Sequence, residues 1–165
     1  MKVIILITLL FNFGYPERVE YRKLTWEDFK GKPDAKEVSA GFIANVQCQW
    51  ILTDSIENGE CYPYLECGIE EHRSWTTTNN PYVLSHEQLH VTISALIGNR
   101  LKDALVKKRG IPESMKNEIW KLYDDWWKIE RSIQDQYDAE TSHGRKTTEQ
   151  ARWEKYINEQ LKKTL

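Results

Sequence analysis

The stretch Leu84-Ser85-His86-Glu87-Gln88-Leu89-His90 constrains this chain more than any other. It spells H-E-x-x-H, and that spacing acquires a meaning on a helix, where residues four apart lie one turn above each other on the same face. Two imidazoles so placed can point at one metal ion, and the glutamate beside the first can reach a water held there. Zinc is the ion expected, because it accepts neutral imidazole nitrogen and tolerates an open fourth position. A fold that serves this pattern must supply a capped helix for it and a third ligand from elsewhere.

The flanking sequence supplies the helix. Asn79-Asn80-Pro81 offers an Asn N-cap followed by Pro at the first helical position. Leu89, Ile93, Leu96, Ile97 and Leu101 then recur at helical spacing as a stripe to be buried. Lys107-Lys108-Arg109, followed by Gly110 and Pro112, is a stop, with cations at the negative end of the dipole. Glu113 to about Glu140 reads as a second, longer helix, in which Met115, Ile119, Leu122, Trp126, Ile129, Ile133 and Tyr137 step by three or four. The short connection predicts an antiparallel hairpin of the two helices. A last helix opens at Thr147 or Thr148. Thr147 and Gln150 stand at capping-box spacing, and Trp153, Ile157 and Leu161 form its apolar side.

Upstream, the period changes to two. Ala40, Phe42, Ala44, Val46, Cys48 and Trp50 share one face of residues 38–52, which predicts a half-buried strand. Asn58-Gly59 is a hairpin turn signal, and Tyr62 to Trp75 reads as one or two further strands of an antiparallel sheet, with His72 exposed. Trp26 and Phe29 are packing anchors on a short turn ended by Gly31 and Pro33. The fold class expected is α+β and zincin-like. An antiparallel sheet precedes the H-E-x-x-H helix, which packs in a hairpin with a long second helix, and a C-terminal helix follows.

Totals narrow the classes further. The 165 residues suffice for one core, which places a single zincin-like metallopeptidase domain at 15–165. Lys and Arg number 23 against 25 Asp and Glu, a net charge of -2 that gives no nucleic-acid groove and no pull toward an anionic membrane. The apolar run Val3–Phe13 after Lys2 is too short for a span of roughly 20 residues. It reads as a signal peptide within 1–14, and hence as export to the periplasm or beyond, with an uncleaved N-terminal anchor as the alternative. Export permits one disulfide among Cys48, Cys61 and Cys67, whose spacing does not choose the pair and does not suit zinc.

The hairpin directs the search for the third ligand to the end of the second helix, where Asp138, Glu140 and His143 lie. Rotation at 100° per residue sets Glu140 on the apolar stripe, and a buried carboxylate there needs a partner or a metal. His143 precedes Gly144, where the chain can turn and aim the imidazole back.

Leu84–His90, Tyr137-Asp138-Ala139-Glu140-Thr141-Ser142-His143-Gly144, Gln150 and Trp153 together resemble the DUF922 family of bacterial zinc-dependent proteases. Trp26-x-x-Phe29-x-Gly31 and Ser74-Trp75 are similar to that family too. The resemblance implies His143 as the third zinc ligand with His86 and His90, and Asp138 as a ligand or as a partner that orients an imidazole. It implies a zinc metallopeptidase acting on a peptide or protein, with Glu87 as the general base. Tyr137 is a candidate electrophile with core packing as its other reading, and an edge strand within 62–75 would hold the substrate. Two other functions fit the same residues: an amidase acting on cell-wall peptides, and an exported zinc-binding or structural module without catalysis.

Overall fold

The structure is a computed structural model that describes residues 22–164. The apolar segment 3–13, and the export expectation attached to it, lie outside the described residues. In chain order the elements are α1 (Ala35–Ser39), β1 (Ala44–Asn45), β2 (Cys48–Glu57), β3 (Glu60–Ile69), β4 (Trp75–Thr76), α2 (Pro81–Val106), β5 (Ile111–Pro112), α3 (Lys116–Thr141) and α4 (Thr147–Thr164). Single 3-10 turns cover Trp26–Asp28 and Glu113–Met115. The class is α+β, with small antiparallel sheets.

β2 and β3 form a hairpin closed by Asn58 (φ 52°) and Gly59 (φ 81°). Two left-handed residues make the turn whose twist matches that of the flanking strands. Alternation turns Trp50, Leu52, Cys61 and Leu65 inward, and leaves Ile51, Tyr64 and Glu66 outside. β5 pairs with the start of β3.

The single strand expected over 38–52 is broken twice. Residues 35–39 coil into α1, because Asp34 accepts from the backbone N–H groups of Lys36 (2.8 Å) and Glu37 (3.1 Å) as its N-cap. β1 then pairs with β4, whereas β2 pairs with β3 in a separate sheet. The change falls at Val46-Gln47, where backbone donors go to side chains: Val46 N–H to Glu87 (2.8 Å) and Gln47 N–H to Ser74 (2.9 Å).

α2 starts where the sequence places it. Asn80 accepts from Tyr82 N–H at 2.9 Å and Pro81 opens the first turn. Its stripe Leu89, Ile93, Leu96, Ile97 and Leu101 is buried in the main core, shared with the β2–β3 hairpin and with α3 and α4. A smaller cluster of Leu24, Phe29 and Val91, with Trp26 packed against it, ties the N-terminal turn to the same helix.

α2 and α3 run antiparallel, since Lys108 pairs with Glu118 near the turn and His86 reaches Asp138 at the far end. The apolar stripe expected for the second helix holds in part: Ile119 and Tyr137 are buried and Leu122, Trp126 and Ile133 pack against the core, while Ile129 on α3 and Met115 just before it are exposed. The same helix also buries Glu130, Gln134 and Thr141. All three cysteines are free thiols. Cys61 and Cys67 sit six residues apart on one strand, about 20 Å, so that pair is beyond bridging distance. Among the described residues, no helix is long and apolar enough to cross a membrane.

Candidate metal centre

α2 carries His86, Glu87 and His90 on its cleft side, and the last turns of α3 bring Asp138 against them. Asp138 Oδ1 lies 3.2 Å from His86 Nε2 and 3.1 Å from His90 Nε2, and the two Nε2 atoms are 3.2 Å apart. A tetrahedral ion with bonds of 2.0–2.1 Å holds its donors roughly 3.3 Å apart. The three donors therefore stand at a spacing that one small ion spans, and among the described residues they form a His-His-Asp group that could hold a metal.

The outer nitrogen of each ring is held by a glutamine. His90 Nδ1 lies 2.6 Å from Gln134 Oε1, and His86 Nδ1 lies 2.9 Å from Gln150 Oε1. An amide oxygen only accepts, so each ring donates through Nδ1 and turns Nε2 toward Asp138. Three electron-rich atoms so close together call for a positive charge among them. Burial alone would raise the Asp138 pKa, but its close pairing with His86 and His90 outweighs it and holds the carboxyl below the usual range. Burial likewise pulls His90 down, yet its bond to Asp138 and the charge of Glu87 leave it raised.

Glu87 is 5% exposed, and its Oε2 accepts from Val46 N–H at 2.8 Å, which ties the carboxylate to the strand segment across the cleft. Tyr137 is fully buried. Its hydroxyl donates to Gln150 Oε1 (2.9 Å) and lies 3.3 Å from the His86 carbonyl, while its ring stacks on His86 at 4.7 Å. That engagement leaves the phenol for packing and positioning rather than for substrate.

His143, expected as the third ligand, is not one of the three converging donors. Ser142 (φ 54°), His143 (φ 54°) and Gly144 (φ 75°) are successive left-handed residues that bend the chain off α3. Within the bend, His143 N–H donates to the Asp138 carbonyl at 2.9 Å. The imidazole packs edge-on against Phe42 with Nδ1 3.4 Å from Asp138 Oδ1, and its side chain is 40% exposed. Gly144 has a steric reason to be glycine: a Cβ there would meet His86 Cγ, Nδ1 and Cβ at 3.0–3.3 Å, on a backbone that disfavours side chains. Glu140, placed on the buried stripe by helical rotation, instead faces α4, where it accepts from Trp153 Nε1 (2.9 Å) and Arg152 (2.6 Å). It takes no part in the cluster.

The donors open onto a cleft of about 570 Å³. One wall is the segment Phe42–Cys48, the other is the face of α3 from Trp127 to Asp138, and α2 forms the floor. None of residues 62–75 lines it, so the edge strand expected there as a substrate holder lies away from this cleft. Two site residues escaped the sequence reading of the centre. Gln134 lies one turn before Asp138 on the same face of α3, and Gln150, read as half of a capping box, sends its side chain to His86. Comparison of the chain with protein-family models, with curated proteins and with solved structures finds no match.

Proposed function

We propose that the protein is a zinc-dependent peptidase, with His86, His90 and Asp138 holding the ion and Glu87 acting as general base. The observation that carries this reading is the convergence of three donors within 3.1–3.2 Å of one another beside a buried glutamate in an open cleft. The donor set suits zinc, which takes imidazole nitrogen and carboxylate oxygen readily. When bound, zinc supplies a Lewis acid that activates water and polarises a carbonyl.

The chain's own residues divide the remaining work. Glu87 takes a proton from the attacking water and returns it to the leaving amine. Val46 N–H fixes its Oε2, which leaves Oε1 as the oxygen that exchanges the proton. We assign His143, half-exposed at the cleft beside Asp138, to the carbonyl of a bound substrate rather than to the ion.

Segment 42–48 suits an extended peptide. Ile43 and Gln47 turn their carbonyls to Thr77 N–H and Glu70 N–H, both at 2.8 Å. Alternation along the strand then turns the backbone groups of Ala44 and Val46 to the cleft.

Glu87→Gln should retain one zinc per chain by elemental analysis and lose hydrolysis of casein by about 10²–10⁴-fold. Hydrolysis that survives in that variant would sink the mechanism.

A further inference from the structure

Each metal-facing histidine is backed by a glutamine, and each glutamine is in turn backed by a glutamate one helical turn away. On α3, Gln134 Nε2 donates to Glu130 Oε1 at 2.8 Å. On α4, Gln150 Nε2 donates to Glu154 Oε1 at 3.2 Å. The two relays, His90–Gln134–Glu130 and His86–Gln150–Glu154, come from different helices and run in opposite directions along the sequence. Glu130 is 2% exposed and has no ion-pair partner among the described residues, so bridging does not account for a carboxylate at that position.

The outer glutamates join the His90 carbonyl and the Tyr137 hydroxyl in deciding a question that the imidazoles leave open. A glutamine amide turned end for end exchanges oxygen for nitrogen at little steric cost, and only its neighbours choose between the two orientations. Gln134 Nε2 has two acceptors, the His90 carbonyl (3.0 Å) and Glu130. Gln150 has Glu154 on its nitrogen side, while its oxygen faces both His86 Nδ1 and the Tyr137 hydroxyl. If reversed, each amide would set oxygen against carboxylate and N–H against a ring N–H.

We propose that Glu130 and Glu154 are positioning residues for the metal centre. Each pins a glutamine so that its oxygen faces the imidazole, which locks His90 and His86 in the Nδ1–H tautomer and leaves both Nε2 lone pairs for the ion. The consequence for affinity rests on the proposed metal reading; the consequence for tautomer does not.

The test is long-range ¹H–¹⁵N correlation spectroscopy of the full chain without metal, at a pH where both rings are neutral. Wild type should carry its proton on Nδ1 in both histidines. Glu130→Leu should turn His90 alone into a tautomer mixture, and Glu154→Leu should do so to His86 alone. Glu130→Gln and Glu154→Gln still offer an amide oxygen and should restore the wild-type pattern. Zinc affinity, read by competition with a chromophoric chelator, should weaken 10–100-fold in each Leu variant and stay close to wild type in the Gln variants. The proposal is overturned if either wild-type ring carries its proton on Nε2, a result that needs no variant to fold. It is also overturned if neither Leu variant changes its own histidine, or if each loosens both rings together. Wild type with the expected tautomers but no zinc binding would remove the proposed function and leave the relays standing.

Discussion

Asp138 stands where the two imidazoles meet, and its weight can be set directly against that of His143. Asp138→Ala removes one of three donors and leaves two histidines facing each other, so zinc affinity should fall by well over tenfold. His143→Ala should bind zinc as wild type does while cleaving peptide more slowly, because its ring stands beyond Asp138 rather than among the donors. Zinc titration of the two variants checks the pair, and loss of zinc in His143→Ala alone would reverse the assignment. Neighbouring residues show why the choice was hard to read from sequence. Tyr137-Asp138 and His143-Gly144 both bear on the site; Gly144 announces a turn, but the left-handed backbone begins earlier, at Ser142 and His143, and residue types do not show where it then aims the imidazole.

α2 was legible in full. An Asn cap, a Pro at the first turn and a five-residue apolar stripe all point to one helix, and its histidines fall where those signals put them. The phase of α3 was legible in part, for a physical reason. Ile119 and Tyr137 are buried and Leu122, Trp126 and Ile133 pack on the core as their spacing predicts, but the face that meets the site is polar, with Glu130 and Gln134 buried and Asp138 beside them. Apolar periodicity does not record that face, so helical rotation favoured Glu140 over Asp138. The strand region failed differently. Alternation of side chains continues through Val46 to Cys48, but hydrogen-bond partners change there, and side-chain pattern does not record which strand a backbone pairs with. That junction bears on the proposed mechanism. Val46→Pro would delete the N–H that holds Glu87, a bond to a charged acceptor worth roughly 1.5–3 kcal/mol. Hydrolysis should fall by about 10–100-fold with zinc content unchanged, as paired activity and metal assays would report. Unchanged activity would free Glu87 from that anchor.

For the molecule as a whole, burial of the thiols ties stability to alkaline pH. Burial pushes Cys67 up to about 12 from 9.0, and it raises Cys48 and Cys61 as well. A group whose folded pKa is raised holds its proton more tightly when folded. Its contribution is therefore complete below pH 9 and is lost as pH rises from 9 toward 12, by at most about 1.4 kcal/mol per pH unit for each thiol. The urea midpoint should drop over that range, and Cys61, fully buried, should react slowly with a disulfide reagent at pH 8. A Cys61 thiol that titrates at once in native protein would contradict its burial. The helices that carry these contacts also carry the site, so the account stands or falls on what they hold between them. Anomalous diffraction at the zinc edge from zinc-loaded crystals reads that directly. We expect one peak about 2.0–2.2 Å from His86 Nε2, His90 Nε2 and an Asp138 oxygen. The absence of a peak there, or a peak held by His143 in place of Asp138, would contradict it.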